Sequence, residues 1–503
     1  MLISQILKEN KSIKLLQGSE NDSVNYIESD SRKLNSGDIF SVYDSFGENA
    51  KDYLSEPSLA EDIIILISEK SKYLALTKKF KNVLVSKKDP MQIHGNLASF
   101  LLDHPSRKLK IIAITGTNGK TSLTYILYDI FSRENKNSGI IGTIKTKFAN
   151  RVIQTGFTTP DPSTLHRTFS EMLKEDIEYV FMEASSHGLK LGRMNGVEIL
   201  GVIFTNITRD HLDFHKTMID YVKSKFKLFQ LLDASKQVDK FAVISSDSSG
   251  SNMIMRLLQK AKFTYPILSF GKGKSYSGFL KKLSLTNTEF QFQELSSSYD
   301  LNTNLLGNFN FINVSLAIVL SRKLGIDMEN IKLSIESLNS VNGRFQIITN
   351  AKKNRIGIVD YAHTPDALEN ILKSIQEIPH SKIICIFGCG GDRDKTKRPI
   401  MAKIAAKYSD RVIITSDNPR TEDPEMILDE IEKGFPKRDQ DILRISNRKL
   451  AIKKGVEILP DNGILLVAGK GHETVQIIGN KKEDFSDVRE LQEAFSYDEL
   501  SRR

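Results

Sequence analysis

KLKIIAITGTNGKTSLTYILYDIF, residues 108–131, is the segment from which the fold of this chain can be worked out. Its first part, 108–115, is an apolar run that predicts a β-strand leading into a glycine-rich turn. In its second part the apolar residues recur at offsets of 3, 4, 7 and 8, which mark one helix face: Leu123, Ile126, Leu127, Ile130 and Phe131. A strand, a glycine-rich turn and a helix in this order are the context that a phosphate-binding P-loop requires.

The turn between this strand and helix has the residue types of a nucleotide site. Glycines allow backbone N–H groups to point at phosphate oxygens, and the start of the helix adds partial positive charge. Lys120 supplies a point charge for the β- and γ-phosphates, and the Thr121 hydroxyl can coordinate Mg²⁺. Ile114 stands where the general pattern has a further glycine, so this P-loop is a shortened one. We predict nucleotide contacts at Gly116, Thr117, Asn118, Gly119, Lys120, Thr121 and Ser122. The alternative is a glycine-rich turn beside a surface lysine.

Strand and helix patterns alternate along most of the remaining chain. This alternation predicts an α/β fold with parallel-rich, doubly wound sheets, in which ligands bind at the carboxyl ends of the strands. With 503 residues and about 150 residues per domain, the chain has room for about three domains. We predict them at 1–90, 108–343 and 344–503, with a linker over 91–107.

Two polar residues follow successive strands beside the P-loop. Glu183 ends the apolar stretch YVFME, and His211 follows the next strand within NITRDHLD. Because neighbouring parallel strands end at the same edge of a sheet, both side chains can reach a metal ion held by the nucleotide. We therefore predict a metal site at Thr121, Glu183 and His211. Each residue taken alone is more typical of a hydrogen-bonded loop.

The composition is that of a globular protein, with 40% hydrophobic and 26% charged residues. The longest apolar runs, 63–67 and 464–468, are far shorter than the ~18 residues that indicate a membrane span. The first residues mix charge into their apolar positions, so we expect neither a signal peptide nor a membrane span. The two cysteines, Cys385 and Cys389, are too few for a disulfide framework or a tetrahedral metal site. We expect buried free thiols in a cytoplasmic protein.

The net charge of +9 permits an anionic partner. However, the lysines are scattered among acidic residues, and the sequence has no basic tail and no aromatic-rich RNA motif. We therefore expect no nucleic-acid partner. The alternative is a P-loop ATPase that acts as a nucleic-acid motor or regulator, whose ATPase activity DNA or RNA would stimulate.

Further short motifs extend over nearly the whole chain. They are TGTNGKT (115–121), FTTP (157–160), MEASSHGL (182–189), TRDHLDFH (208–215), LLGNFNFIN (305–313), VNGRF (341–345), DYAHTPDAL (360–368), GCGGDRDKTKRP (388–399), DNPR (417–420) and GKGHE (469–473). Together and in this order they resemble the motifs of the Mur ligases, the ATP-dependent enzymes that build the stem peptide of peptidoglycan. The resemblance implies an N-terminal UDP-binding domain, a central ATPase domain and a C-terminal Rossmann-like domain.

The resemblance also implies a reaction. ATP phosphorylates the γ-carboxylate of UDP-N-acetylmuramoyl-L-alanyl-D-glutamate, and the amine of meso-2,6-diaminopimelate then displaces phosphate from the acyl phosphate. Positioning and charge neutralisation by Mg²⁺ and Lys120 hold the two reacting anions together. The expected protein is a monomeric cytoplasmic ligase of peptidoglycan precursor synthesis, with ATP, Mg²⁺, the UDP-linked dipeptide and diaminopimelate as its ligands.

Matching of the motifs assigns further residues. Lys225, within YVKSKFKLF (221–229), matches a lysine that the family carries as a carbamate formed with CO₂. From the residues alone, a solvated helix lysine is the simpler interpretation. The resemblance implies that Lys120, Glu183, His211 and Lys225 are catalytic, the last three with Thr121 at the metal. It implies dipeptide contacts at Ser29, Ser31, Thr158, Thr159, Ser185 and Arg193, and further nucleotide contacts at Asn310, Asn313, Arg344 and Asp360.

DNPR, 417–420, indicates the choice of amino acid. The resemblance implies that Arg420 belongs to the version of this motif that selects meso-diaminopimelate. The distal carboxylate of this amino acid can form a bidentate pair with a guanidinium. L-Lysine lacks this carboxylate and would leave Arg420 desolvated without a partner. The implied contacts are Arg393, Asp417, Asn418, Pro419, Arg420, Gly469 and Glu473, with Glu473 at the distal amine.

Besides the nucleic-acid motor, three alternatives stay open at this point. The same scaffold could add L-lysine or another diamino acid, against which Arg420 argues. Folylpolyglutamate synthetase shares the P-loop and the acyl-phosphate chemistry, but the extra N-terminal domain and DNPR argue against it. A non-enzymatic binding module would leave Lys120 and the metal-side groups without a task. The chain departs from the family pattern at Asn49, Ala50, Leu191 and Gln346, none of which replaces a catalytic group.

Overall fold

The computed structural model describes residues 1–44, 48–55, 62–154, 156–248, 250–284, 287–350, 354–435 and 442–500. Within these residues the strands form a five-stranded, an eleven-stranded and a six-stranded sheet and one separate hairpin. Helices cover the sheets, and the fold is α/β with parallel-rich sheets, as predicted. No helix in the described ranges is long and apolar enough to cross a membrane.

The first sheet is built from residues 13–86, in the order β1-β5-β4-β3-β2. β2 to β5 are parallel, and β1 is antiparallel to β5. Ile93 and Leu97 lie in a helix within the segment predicted as a linker, and both pack into the core of this unit. The side chains of Asn49 and Ala50 lie outside the described residues. The elements are α1 (Ile3–Glu9), β1 (Ile13–Gln17), β2 (Ile27–Glu28), β3 (Ile39–Ser41), α2 (Glu48–Ser55), β4 (Ile64–Ser68), β5 (Asn82–Ser86) and α3 (Pro90–Leu101).

The second sheet has the order β16-β15-β14-β13-β12-β11-β6-β10-β7-β8-β9. The six central strands, β13-β12-β11-β6-β10-β7, are parallel to one another. Antiparallel pairs extend the sheet at both ends, β14 with β15 and β16 on one side and β8 with β9 on the other. One hydrophobic cluster lies on each face. The elements are β6 (Lys110–Thr115), α4 (Lys120–Arg133), β7 (Ser138–Ile141), β8 (Thr146–Phe148), β9 (Arg151–Ile153), α5 (Pro162–Lys174), β10 (Tyr179–Glu183), α6 (Ser186–Lys190), β11 (Gly201–Phe204), α7 (Leu212–His215), α8 (Met218–Ala234), β12 (Phe241–Ser245), α9 (Ser251–Ala261), β13 (Ile267–Phe270), β14 (Tyr276–Leu283), β15 (Thr288–Glu294), β16 (Ser297–Thr303), α10 (Asn308–Lys323) and α11 (Met328–Glu336).

The third sheet has the order β17-β18-β22-β19-β20-β21, with β17 as an antiparallel edge. Its parallel strands are almost wholly apolar, as expected for strands that helices cover on both faces. Cys385 on β19 and Cys389 after it are buried free thiols, which confirms that prediction. The elements are β17 (Gln346–Asn350), β18 (Arg355–Asp360), α12 (Pro365–Gln376), β19 (Ile383–Phe387), α13 (Lys397–Tyr408), β20 (Arg411–Ile414), α14 (Pro424–Glu432), β21 (Ile442–Arg444), α15 (Arg448–Ile458), β22 (Ile464–Ala468), β23 (Val475–Ile478), β24 (Lys481–Asp484) and α16 (Asp487–Leu500).

A buried polar network joins the first unit to the start of α5. The Tyr26 hydroxyl donates to the carbonyl oxygen of Ser163 at 2.8 Å. The His94 ring lies between the Tyr43 hydroxyl, 2.6 Å from Nδ1, and the Ser163 hydroxyl, 2.7 Å from Nε2. A Cβ atom on Gly95 would lie 2.2 Å from the carbonyl oxygen of Asn195, so the backbones approach as closely as glycine allows. The N-terminal unit is thus held firmly against the central one.

Candidate active site

The P-loop connects β6 to α4 and requires its two glycines. Gly116 has φ +156°, and a Cβ atom there would lie 1.8 Å from Thr205 Oγ1. Gly119 has φ +87°, and its Cβ atom would lie 2.6 Å from Asn313 Oδ1. The loop closes around Lys120, whose Nζ donates to the carbonyl oxygens of Gly116 at 2.9 Å and Thr117 at 2.8 Å. The ammonium therefore lies within the turn that would surround a phosphate chain.

Glu183, at the carboxyl end of β10, is a buried carboxylate beside the P-loop. The Thr121 hydroxyl lies 3.0 Å from both carboxylate oxygens, and the backbone N–H and hydroxyl of Thr143 each donate at 2.9 Å. Within the described residues Glu183 forms no ion pair, so all of its hydrogen-bond donors are neutral. A buried carboxylate without a cationic partner fits a hard divalent cation such as Mg²⁺.

His211 lies after β11, in the left-handed conformation with φ +54°. Its Nε2 is 3.3 Å from Asp210 Oδ2, and its ring meets that of His187 edge to face with centroids 4.7 Å apart. Desolvation lowers the pKa of His211 to about 4, while Asp210 acts in the opposite direction. The imidazole is therefore neutral at physiological pH, which is the state that binds metal ions.

Lys225 lies on α8 with its side chain buried. Its Nζ donates to the carbonyl oxygen of Gly116 at 2.6 Å and lies 4.6 Å from the centroid of the Tyr221 ring. Burial and then nearby Lys120 lower the pKa of Lys225 well below its ordinary value, against a smaller opposing effect of Asp210. In the described ranges no carboxylate forms an ion pair with it. This environment favours a neutral amine over an ammonium.

These side chains line a cleft of about 280 Å³, here called the inner cleft, between the P-loop and the segment after β18. Of the predicted nucleotide and metal residues, it brings together Thr117, Asn118, Gly119, Lys120, Thr121, Ser122, Glu183, His211, Lys225, Asn313, Arg344 and Asp360. Gly116 and Asn310 do not line it, and the Asn310 amide donates to the carbonyl oxygen of Leu306 at 2.9 Å. Nδ2 of Asn313 is buried and has no hydrogen-bond partner within the described residues. It is therefore a candidate donor to a bound nucleotide.

The C-terminal unit closes over this cleft through direct contacts. The Arg344 guanidinium lies 4.6 Å from the centroid of the Tyr361 ring, and its Nη2 donates to Thr121 Oγ1 at 3.4 Å. Asp366, at the start of α12, accepts hydrogen bonds from the Asn118 amide at 2.7 Å and the Thr208 hydroxyl at 2.8 Å. Burial raises the pKa of Asp366. The nucleotide cleft is thus completed by residues of both units.

A larger cleft of about 800 Å³, here called the outer cleft, shares His211 and Thr158 with the inner cleft. Residues of the central unit form one wall, among them Ser185, Leu191 and Arg193. The opposite wall contains the residues predicted to contact the amino acid: Arg393, Asp417, Asn418, Arg420, Gly469 and Glu473. Pro419 and Thr159 do not line it. Thr159 is buried and donates to the carbonyl oxygen of Glu183 at 2.9 Å, so it supports the wall from behind.

Arg420 is held in a strained conformation, with φ +54°. Its backbone N–H donates to Ile477 and its carbonyl oxygen accepts from Gly479, at 3.0 Å and 2.7 Å. These bonds tie it to the hairpin of β23 and β24. Its Nη1 donates to the carbonyl oxygen of Gly391 at 2.8 Å, so part of the guanidinium remains available at the cleft.

Ser29 and Ser31 line neither cleft. Ser31 begins a short 3₁₀ helix, and Lys33 in the same turn lies 3.8 Å from Asp161 Oδ2. Asp161 follows the FTTP motif, which contains Thr158. This contact connects the segment of Ser29 and Ser31 to the loop beside the outer cleft.

Residues outside the predicted site also organise it. Thr143 donates twice to Glu183, Asp366 receives the P-loop amide, and Lys470 is buried among Asn418 and Glu473. Asp366 and Lys470 both lie within the motifs DYAHTPDAL and GKGHE. Their position in these motifs is the only feature of the sequence that indicates a place near the site. No group of three or more His, Cys, Asp and Glu side chains in the described residues could by itself hold a metal ion. A cation at Glu183 would need hydroxyl, phosphate or carbamate oxygens as well.

The P-loop, the buried carboxylate beside it and the two-walled cleft define a nucleotide-dependent enzyme of the α/β class. Family comparison narrows this class. The Mur ligase middle domain matches residues 114–321, and the Mur ligase glutamate ligase domain matches residues 343–471. The chain belongs to the Mur ligase family.

Relatives that match almost end to end carry one description. A Leptospira interrogans protein is 46% identical over 98% of this chain and 99% of its own length. A Bacillus cereus protein is 37% identical over 95% of each chain. Both are described as UDP-N-acetylmuramoyl-L-alanyl-D-glutamate–2,6-diaminopimelate ligases. A solved structure with the same description is 30% identical, covers 99% of both chains and superposes with a TM-score of 0.69.

Proposed function

We propose that this protein joins meso-2,6-diaminopimelate to UDP-N-acetylmuramoyl-L-alanyl-D-glutamate, with cleavage of ATP to ADP and phosphate, in peptidoglycan precursor synthesis. The observation that carries the proposal is the junction of the two clefts: the P-loop and Glu183 lie in one, and Arg420 and Glu473 lie across the other. Relatives that match nearly end to end are described as performing this ligation.

The first chemical step takes place in the inner cleft. An oxygen of the D-glutamyl γ-carboxylate attacks the γ-phosphorus of ATP, the bond to the β–γ bridging oxygen breaks, and ADP leaves. Both reactants are anionic, so the protein has to hold them together against repulsion. Lys120 supplies positive charge at the phosphates, and Arg344 does so from the C-terminal unit. Mg²⁺, held by Thr121 and Glu183, would supply further charge neutralisation.

The second step takes place where the clefts meet. The amine nitrogen of diaminopimelate attacks the acyl carbon, the amine loses a proton, and the tetrahedral intermediate expels inorganic phosphate. Because the attack requires the amine and the acyl phosphate in contact, the two walls of the outer cleft must approach each other. The contacts of Asp366 with Asn118 and Thr208 support a closed arrangement of this kind.

Selection of diaminopimelate would depend on charge complementarity in the outer cleft. Arg420 would pair with the distal carboxylate, and Glu473 with the distal ammonium. Arg393, Asn418 and Gly469 belong to the same wall, while Ser185 and Arg193 would contact the muramoyl dipeptide on the other. Ser29 and Ser31 would contact the uridine end.

The carbamate on Lys225 is a further part of the proposal. A neutral amine adds its nitrogen to the carbon of CO₂ and loses a proton, which leaves an anionic carbamate. The burial of Lys225 and its lack of a carboxylate partner among the described residues support this reaction. In this form Lys225 would add oxygen ligands to the metal site of Glu183 and His211.

Carbamylation can be tested by ¹³C NMR of the protein under ¹³C-labelled CO₂. We expect a carbamate carbon signal in the wild type and in Lys223→Ala, whose lysine is exposed on the same helix. The signal should be absent from Lys225→Ala. An unchanged signal in Lys225→Ala would remove the carbamate from the proposal.

The reaction itself is tested by phosphate release from purified protein with Mg-ATP and the UDP-linked dipeptide. Parallel samples receive meso-diaminopimelate, L-lysine or no amino acid. We expect release with diaminopimelate alone. Release with lysine would retain the ligase and refute the role of Arg420, and no release with either amino acid would refute the proposed function.

A further inference from the structure

Lys470 is a fully buried lysine behind the amino-acid wall of the outer cleft. It does not line the cleft itself. Its Nζ donates to Asn418 Oδ1 at 2.9 Å, to Glu473 Oε2 at 2.9 Å and to the carbonyl oxygen of Val475 at 2.7 Å. These three acceptors match the three protons of an ammonium, so a charge that is costly to bury is fully hydrogen-bonded.

The lysine fixes the orientation of the Asn418 amide. Oδ1 of Asn418 accepts from Lys470 and from the backbone N–H of Ile477 at 2.9 Å, and both of these groups can only donate. The amide nitrogen must therefore lie on the other side, where it donates to Glu473 Oε2 at 2.8 Å. Both polar ends of Asn418 are thus used within the protein.

These contacts also fix the position of Glu473, whose side chain is 28% exposed and lines the cleft. Its Oε2 receives hydrogen bonds from both Lys470 and Asn418. In the part of the chain that the structure describes, Oε1 makes no hydrogen bond. One carboxylate oxygen is held and the other is left for a ligand in the cleft.

We propose that Lys470 is a positioning residue for the amino-acid substrate: with Asn418 it fixes the Glu473 carboxylate so that its free oxygen receives the distal ammonium. This inference rests on the proposed function. Lys470 acts through Glu473 and touches no substrate atom. Without it, Glu473 can rotate away from the ammonium and loses the donor that compensates its desolvation.

The test compares Lys470→Met, Glu473→Gln and the double variant by phosphate release. For Lys470→Met we expect a KM for diaminopimelate ~10- to 100-fold higher, with the KM for ATP unchanged and kcat within about 3-fold. Because Lys470 acts through Glu473, the double variant should resemble Glu473→Gln alone. Losses that multiply in the double variant would overturn the inference.

A second substrate separates positioning from general damage. L-2-Aminopimelate keeps the reacting amine and both carboxylates of diaminopimelate and lacks the distal ammonium. Lys470→Met should therefore reduce the preference of the enzyme for diaminopimelate over this analogue, measured by kcat/KM or by inhibition constants. An equal loss for both compounds would also overturn the inference.

Two further measurements keep the test conclusive. Lys449→Met removes a 60% exposed lysine of the same domain and should behave as the wild type. If Lys470→Met does not fold, Lys470→Gln replaces it in the comparison with Glu473→Gln and the double variant. Because glutamine keeps a hydrogen-bond donor, we then expect a smaller rise in the KM for diaminopimelate. If the wild type releases no phosphate in response to diaminopimelate, the proposed function is refuted. If the wild type is active and the losses of the two single variants multiply in the double variant, only the role of Lys470 is refuted.

Discussion

The Asn118 side chain, in the P-loop, donates its amide hydrogen to Asp366 of the C-terminal unit across a distance of 2.7 Å. The same carboxylate oxygen accepts from Thr208 at 2.8 Å. The loop that would hold the phosphates is therefore bonded directly to the unit that would bring the amino acid. We infer that this carboxylate couples nucleotide binding to closure of the outer cleft.

Removal of this carboxylate should weaken closure. We expect Asp366→Ala to lower kcat about 10-fold or more, because two hydrogen bonds of roughly 1 kcal/mol each are lost from the closed state. Asp366→Asn keeps one oxygen acceptor and should lose less. The kcat for phosphate release, measured for both variants, tests this prediction. A kcat of Asp366→Ala equal to that of the wild type would contradict it.

Lys120 is the cation enclosed by the P-loop turn, and its loss should abolish phosphoryl transfer. We expect Lys120→Ala to reduce kcat by ~10²–10³-fold or more, the range for removal of a group that stabilises transition-state charge. Lys223→Ala, on the exposed face of α8, is the matched control and should stay near wild type. Full activity of Lys120→Ala in the phosphate-release assay would refute the P-loop assignment.

Arg420 should determine the choice of amino acid. We expect Arg420→Ala to lower kcat/KM for diaminopimelate about 10- to 100-fold, the range for a lost charged hydrogen bond, while the KM for ATP stays unchanged. Arg420→Lys keeps the charge without the planar fork and should recover only part of this loss. An unaltered ratio of diaminopimelate to lysine turnover in Arg420→Ala would refute its selective role.

His94 should make stability depend on pH. Burial lowers the pKa of His94 from its ordinary 6.5 to about 4. Between these values the unfolded chain binds the proton and the folded chain does not, so stability is fully present above pH 6.5 and falls as the pH decreases toward 4. At pH 4 and below the loss from this group approaches about 3 kcal/mol. His94→Phe, which does not titrate, should show a shallower decline of the urea midpoint between pH 7 and pH 5. Parallel declines for the two proteins would contradict this prediction.

Elements with strong periodicity could be predicted from the sequence to within a few residues. The apolar run over 355–360 predicts a strand and the periodicity over 365–376 predicts a helix, and β18 and α12 have those bounds in the structure. The antiparallel strands β14 to β16 were not predicted. β14 has no regular alternation of polar and apolar residues, whereas β15 alternates along TEFQFQE (288–294), the period typical of a half-buried strand, so its signal is present in the sequence. β8 and β9 have three residues each, too few for a detectable period.

The motifs indicated which residues belong near the site, and they could not indicate how those residues hold one another. Asn118 and Asp366 are 248 residues apart, and Lys470 and Asn418 are 52 apart. The first pair meets because the carboxyl ends of strands in two sheets adjoin, and the second because β20 and β22 end at the same edge of one sheet. The amide of Asn310 donates to the carbonyl oxygen of Leu306, and the nucleotide contact that its motif suggests stays a prediction.

The two buried thiols have a practical consequence for observing domain closure. Burial raises the pKa of both Cys385 and Cys389 to about 12, so neither forms a reactive thiolate at neutral pH. The wild-type chain has no other cysteine. Single cysteines introduced at exposed positions of the central and C-terminal units can therefore carry a pair of fluorescent dyes with little background labelling. Energy transfer between the dyes would then report the approach of the two units in solution, one catalytic cycle at a time.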